Sequence, residues 1–130
     1  MTTELTLLAW TLVLAVIYII AFDLVRTRQY GAKWNMGPRD DSMPPLSPVA
    51  ERLQRAQNNL FETLPLFIGA VLIAHAANIH SAKTILACEL YFWARVVYLP
   101  LYAFGVPVIR SLVWLVSAAG LAMLLVALLA

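Results

Sequence analysis

Residues 51–68 read E-R-L-Q-R-A-Q-N-N-L-F-E-T-L-P-L-F-I, so a charged stretch turns apolar within about five helical turns. At 3.6 residues per turn, four of its polar side chains fall within an arc of roughly 80° on one helix face: Arg52, Arg55, Asn59 and Glu62. Ionisable groups at membrane depth are costly, and they usually face a bundle interior where they form a ligand or ion site. The stretch therefore predicts a helix that carries a polar stripe into a membrane.

The rest of the chain is strongly apolar. It is 62% hydrophobic and 12% charged over 130 residues, whereas a soluble domain is closer to half apolar and a quarter charged. Four segments are long enough to cross about 30 Å of hydrocarbon as helices: about 5–25, 48–79, 84–104 and 108–130. Because backbone groups find no water in lipid, we expect an all-α membrane protein, a four-transmembrane-helix bundle in one domain over residues 1–130.

The basic residues predict how the bundle is oriented. The first connection and the start of the second helix are basic, and Arg110 adds a charge at the third junction, whereas Lys83 is alone in the second connection. The positive-inside rule then places the first and third loops in the cytoplasm and both termini outside. The formal charge of +2 is too small to indicate a nucleic-acid partner.

The third segment carries a second stripe. Tyr91, Arg95, Tyr98 and Tyr102 recur at steps of four, three and four, which places them on one helical face. A lone guanidinium in mid-membrane costs at least a few kcal/mol, so we expect a carboxylate to pair with Arg95. The candidates for that carboxylate are Glu62 and Glu89.

A helix N-terminus follows Pro107, and it carries Arg110 and Ser111. Its free amides and positive dipole end favour an anion. With the two stripes, this predicts a site for a small ligand that has two carboxylates, an ammonium and peptide groups. Arginines would clamp the carboxylates, Glu62 would take the ammonium and Asn59 the peptide groups. Apolar walls open to lipid would admit a second, lipophilic ligand.

A purely structural interpretation stays open for each of these groups. Arg52 and Arg55 can anchor the helix at the lipid headgroups, and Arg110 can be an ordinary positive-inside residue. The tyrosines suit an interfacial belt or core packing, and Arg95 suits a buried ion pair. Cys88 is the single cysteine, which excludes an internal disulfide. His75 and His80 lack a partner at metal-ligand spacing, so we expect no metal site.

Residues 51–67 resemble the signature of the MAPEG family, membrane-associated proteins in eicosanoid and glutathione metabolism, whose pattern reads E-R-x-x-R-A-x-x-N-x-x-E-x-x-P. The third segment is similar again, with A-R-V-V-Y at 94–98 followed by Tyr102. The resemblance implies a homotrimer of four-helix subunits that binds glutathione between neighbouring subunits near the cytoplasmic face.

The resemblance also implies roles for individual residues. The predicted glutathione-binding residues come from the second and third segments. They are Arg52, Arg55, Gln57, Asn59, Glu62, Arg95, Tyr98 and Tyr102. Arg110 corresponds to the family arginine that stabilises the thiolate, and Ser111 to a serine proposed for the same role. A first-helix arginine, Arg26 or Arg28, would also contribute.

Three departures from the family pattern bear on specificity. Thr63 stands where the leukotriene synthase has tyrosine, and Asn58 and Leu60 replace an arginine and an aspartate of other members. Eicosanoid specificity is therefore not carried over. The compact loops favour a bacterial member located in the inner membrane.

The leading hypothesis is a membrane-bound glutathione transferase or peroxidase that acts on lipophilic electrophiles through an arginine-stabilised thiolate. The alternative is a non-catalytic lipid-binding protein of the same type. A small multidrug transporter is a third hypothesis, but such proteins need an acidic residue in the membrane core, and the first segment has none before Asp23. Expected partners are a second and third copy of the chain, glutathione, a lipophilic substrate and membrane lipid.

Overall fold

Five helices and no strand make up the computed structural model, which describes all 130 residues. The helices are α1 (Thr3–Tyr30), α2 (Ala32–Met36), α3 (Pro48–Ala76), α4 (Ala82–Ala103) and α5 (Val108–Leu129). The four long helices are each long and apolar enough to cross a membrane. The prediction of an all-α, four-transmembrane-helix bundle is therefore confirmed.

Several helix ends differ from those expected from the sequence. Helix α1 continues past residue 25 to Tyr30, where Gly31 adopts a φ of +93° and the short helix α2 follows. Helix α3 ends at Ala76 rather than at residue 79, because Asn78 takes a left-handed φ of 56°. The Asn78 amide then donates to the His75 carbonyl, and the Ile79 amide to the Ala74 carbonyl. This pair of bonds is the Schellman arrangement that closes a helix.

The start of α3 follows from its first two residues. The Ser47 hydroxyl accepts a hydrogen bond from the Ala50 amide at 3.3 Å, and Pro48 occupies the first helical position. Serine is a favoured N-cap, and proline has no amide hydrogen to leave unpaired in the first turn. Because the helix begins there, Arg52 and Arg55 lie in its first turns. The helix also continues through Pro65.

Helices α1, α3 and α4 contact one another, whereas α5 packs mainly on α4, touches α3 and makes no contact with α1. A close approach at Gly120 fixes α5 on α4. A Cβ built on Gly120 would lie 2.7 Å from the Ala87 carbonyl oxygen and 2.9 Å from the Tyr91 amide nitrogen. Only glycine leaves enough room between the two backbones.

The outer surface of the bundle is apolar. Each long helix exposes large apolar side chains by about half or more. They are Ile17 on α1, Leu72 on α3, Trp93 and Val97 on α4, and Leu115 and Val126 on α5. Such extensive apolar exposure on membrane-length helices is suited to hydrocarbon rather than to water. The chain is an integral, multi-pass membrane protein.

Two polar clusters lie at opposite ends of this bundle. At one end the buried Glu4 carboxylate accepts hydrogen bonds from His80 and from Thr84, at 2.9 Å and 3.1 Å, which ties the start of α1 to the start of α4. At the other end Arg52 donates to the carbonyl of Ala103. Since α3 begins at that end, its polar stripe enters the bundle there.

Candidate functional site

A cleft of about 200 Å³ opens where the start of α3 meets the turn between α4 and α5. It is lined by Arg52, Arg55, Tyr102, Gly105, Pro107 and Arg110. Three of these six residues carry a guanidinium and none carries a carboxylate. The cleft is therefore a concentrated region of positive charge, suited to an anionic ligand.

Arg52 is held against the C-terminal end of α4. Its Nε donates to the Ala103 carbonyl at 3.0 Å, and unpaired carbonyls at a helix end attract a cation. Gly105 follows with a left-handed φ of 72°, and a Cβ there would lie 3.5 Å from Arg52 Nε. The glycine thus turns the chain toward α5 while leaving the guanidinium accessible beside it.

Tyr102 lies between the other two arginines of the cleft. Its phenol oxygen accepts a hydrogen bond from Arg55 Nε at 3.2 Å. The guanidinium carbon of Arg110 lies 4.5 Å from the centre of the same ring. The ring face offsets part of the charge of Arg110, so the tyrosine allows two cations to approach the same small volume.

A second polar layer lies behind the cleft, around Arg95. This side chain is fully buried. Its Nη1 donates to Asn59 Oδ1 at 2.7 Å and its Nη2 to Thr63 Oγ1 at 3.2 Å. The rings of Tyr91 and Tyr98 lie at 5.7 Å and 5.1 Å from the guanidinium carbon.

The expectation that a carboxylate pairs with Arg95 is wrong. Glu62 is exposed on the outer side of α3, and no ion pair joins it to Arg95. Glu89 accepts a hydrogen bond from Trp93 Nε1 at 2.6 Å on its own helix. An amide oxygen, a hydroxyl and two aromatic faces stabilise the buried guanidinium instead.

The remaining predicted residues differ in their distance from the cleft. Tyr98 is buried and packs edge-on against Tyr102, with 5.4 Å between ring centres. Ser111 is exposed and makes no hydrogen bond through its side chain, and Gln57 has a buried Oε1 without a partner. Neither Ser111, Gln57 nor Glu62 lines the cleft.

The first-helix arginines also lie outside the cleft. Arg26 pairs with Asp23 on its own helix at 2.9 Å and also reaches Asn35 at 3.4 Å. Arg28 is exposed in the last turn of α1. Neither arginine therefore lines the cleft.

Sequence reasoning missed two parts of the inner layer. Thr63 stood out only as a departure from the family pattern, although it follows Asn59 by four residues and so shares its helix face. Tyr18 donates a hydrogen bond to the main-chain carbonyl of Arg95 at 2.6 Å. Nothing in the local pattern of α1 indicates that contact, since it depends on how α1 packs on α4.

Comparison with known proteins shows to which family the chain belongs. No curated protein matches the chain. The model of the MAPEG family matches residues 7–130, which is nearly the whole chain and includes every residue that lines the cleft. Members of this family work in glutathione and eicosanoid metabolism, and its four-helix fold agrees with the bundle observed. The chain belongs to the MAPEG family.

Proposed function

We propose that this protein is a membrane-bound glutathione transferase or peroxidase that acts on lipophilic electrophiles, with glutathione bound in the arginine cleft and along the adjoining face of α3. The observation that supports this proposal is that three arginines line one cleft from which carboxylates are absent. An uncompensated cluster of this kind is stabilised by a ligand that brings its own negative charge.

The chemistry of glutathione fits the groups available. Arg52, Arg55 and Arg110 would bind its two carboxylates and its thiolate, since guanidinium matches such anions in geometry and charge. Glu62, exposed and without an ion-pair partner in the subunit, would bind the ammonium. Asn59 would hydrogen-bond to a peptide group, and Gln57, Tyr98 and Tyr102 would complete the binding set.

A homotrimer is part of this proposal, because the cleft alone encloses only part of such a ligand. The outer face of α3 exposes Glu62 between Phe61 and Leu66, two apolar residues that are 37% and 56% exposed. A carboxylate facing hydrocarbon is costly, so a neighbouring subunit is the better cover for this face. That neighbour would close the site over glutathione.

Glutathione supplies a thiol, and the residues of the cleft would make it reactive. A free thiol has a pKa near 8.5, so only a few per cent is ionised at neutral pH. Arg110 lies in the first turn of α5, where its guanidinium and the helix N-terminus both stabilise an anion. Ser111 would add a hydroxyl donor.

The proposed reactions have simple balances. In conjugation, a sulfur–carbon bond forms and the leaving group departs with its electron pair. In peroxidase action, two glutathione thiols are oxidised to a disulfide while a hydroperoxide is reduced to an alcohol and water. The electrophile would reach the site from the surrounding lipid.

We also propose the orientation and the location of the bundle. The arginine cleft would lie on the cytoplasmic side, with both termini on the opposite side, as the basic residues indicate. The membrane would be a bacterial inner membrane. Cytoplasmic glutathione would then reach the cleft directly.

The direct test uses the purified, detergent-solubilised protein. Titration calorimetry with glutathione should give saturable binding, and a chlorodinitrobenzene-type electrophile should be conjugated. An Arg55→Ala variant should bind glutathione at least about tenfold more weakly, because a charge-assisted hydrogen bond is lost. Arg39→Ala, which removes an exposed arginine of the first loop outside the cleft, is the matched control. Absence of binding by the unmodified protein would reject the proposal.

A non-catalytic lipid-binding protein is the second candidate. A pocket of about 520 Å³ on the outer face of α3 favours it, since it is lined by Phe61, Leu64, Pro65, Ile68 and Gly69. Such a surface accepts an apolar ligand. Binding of a fatty acid or hydroperoxide without any turnover in the presence of glutathione would support this candidate over the enzyme.

A further inference from the structure

The contact between Arg95 and Asn59 fixes which way the asparagine amide faces. Arginine carries five N–H donors and no acceptor. The Asn59 atom that lies 2.7 Å from Arg95 Nη1 must therefore be its oxygen, Oδ1. The amide nitrogen of Asn59 points away from the guanidinium as a consequence.

That nitrogen is accessible. Asn59 is half-buried, its Nδ2 makes no hydrogen bond within the subunit, and it is not among the buried polar atoms that lack a partner. It follows Arg55 by one helical turn and precedes Glu62 by three residues on the same face. Asn59 thus offers N–H donors on that face, while its oxygen is occupied.

The guanidinium that sets this arrangement is itself held from several sides. Its second nitrogen, Nη2, donates to Thr63, and Tyr91 donates to or accepts from the same hydroxyl at 2.8 Å. Tyr18 fixes the backbone of Arg95 through its carbonyl. Because no carboxylate neutralises Arg95, its full charge acts on the Asn59 carbonyl and strengthens the amide N–H as a donor.

We propose that Arg95 is a positioning residue that acts through Asn59 and sets what this site recognises. Asn59 is locked as a donor, so the ligand group in front of it must be an acceptor, a peptide carbonyl or a carboxylate. This inference rests on the proposed function in one respect, which is that the ligand is taken to be glutathione. Arg95 itself is buried and would not touch the ligand.

A double-mutant cycle tests this role, with the dissociation constant of glutathione measured by calorimetry. Arg95→Met should weaken binding about tenfold, because the amide is no longer oriented or polarised. Arg95→Lys keeps a donor near Asn59 and should restore most of the affinity. In an Asn59→Ala background, Arg95→Met should change the affinity less than about twofold, since the two residues act as one unit.

Thr84→Val is the matched control, because it removes the hydrogen bond from another buried threonine hydroxyl, to Glu4 at the opposite end of the bundle. It should lower the thermal midpoint of unfolding as a structural change does, yet leave the glutathione dissociation constant within about twofold. If Arg95→Met and Asn59→Ala weaken binding independently of each other, Arg95 does not act through Asn59 and the inference is wrong.

Asn59→Asp keeps the test decisive if Arg95→Met does not fold. The aspartate would pair with Arg95 and preserve the fold, but it replaces the outward N–H donor by a carboxylate oxygen. Binding should weaken more than about tenfold while the thermal midpoint holds. Wild-type affinity in Asn59→Asp would overturn the inference alone, whereas absence of glutathione binding in the unmodified protein would overturn the proposed function as well.

Discussion

Arg55 and Tyr102 join α3 to α4 through a hydrogen bond from Nε to the phenol oxygen, 3.2 Å long. The ring of the same tyrosine lies under Arg110. Tyr102 therefore links an arginine at the start of α3 with one at the start of α5, and it holds both beside the cleft. A residue placed in this way sets the spacing between two cations.

Tyr102→Phe should loosen Arg55 without removing the ring beneath Arg110. Loss of a hydrogen bond to a charged group predicts a drop in glutathione affinity of about threefold to tenfold. Tyr30→Phe is the control, because it also removes a phenol hydroxyl that donates a hydrogen bond, here to the Pro44 carbonyl, and it lies outside the cleft. Calorimetry on both variants checks the difference. Equal affinities for the two would mean that the Arg55 contact does not matter for binding.

Two glycines in membrane helices should respond differently to alanine. In Gly120→Ala the new methyl group meets the Ala87 carbonyl at 2.7 Å, and overpacking of this kind destabilises by about 1–3 kcal/mol. A Cβ placed on Gly69 would have no atom of another residue within 4 Å. Gly69→Ala should therefore be neutral or stabilising by up to about 1 kcal/mol. Thermal unfolding in detergent measures both. A Gly120→Ala variant as stable as Gly69→Ala would contradict the close helix contact.

Hydrophobic length predicted the four spans, and helical periodicity predicted the two polar stripes. Periodicity assigns residues to a face of one helix, but it does not say how two helices are rotated against each other. The prediction of a carboxylate partner for Arg95 was wrong for that reason. The rotation of α3 brings Asn59 and Thr63 to the guanidinium and leaves Glu62 outside. The end of α3 was missed because Asn78 was not recognised as a left-handed helix terminator.

Glu4 should stabilise the bundle without affecting the arginine cleft. Its carboxylate is 2% exposed and accepts hydrogen bonds from both His80 and Thr84. Glu4→Ala should therefore lower the free energy of unfolding by about 1–3 kcal/mol, because it removes the two hydrogen bonds that tie the start of α1 to His80 and Thr84. Glutathione affinity should stay within about twofold, since the cluster lies at the opposite end of the helices.

Glu51→Ala is the matched control for this prediction, because Glu51 is an exposed carboxylate without an ion pair. It should change the unfolding free energy by less than about 0.5 kcal/mol. Thermal unfolding and calorimetry on the two variants provide the readouts. A Glu4→Ala variant that unfolds like the unmodified protein would show that the cluster does not hold α1 in place.

Arg110→Gln should change the pH dependence of conjugation more than the affinity for glutathione. The guanidinium would favour the thiolate and so lower the pKa of the bound thiol. Without it, the thiol pKa should rise toward about 8.5, and each unit corresponds to about tenfold less thiolate at neutral pH. Turnover at pH 7 should therefore fall about tenfold or more and recover partly in alkaline buffer.

Ser111→Ala is the control for this prediction, because it changes the neighbouring residue and leaves the cation in place. It should shift the pH profile of turnover less than Arg110→Gln does. A parallel loss of rate at every pH in Arg110→Gln would mean that this arginine positions the substrate and does not stabilise the thiolate.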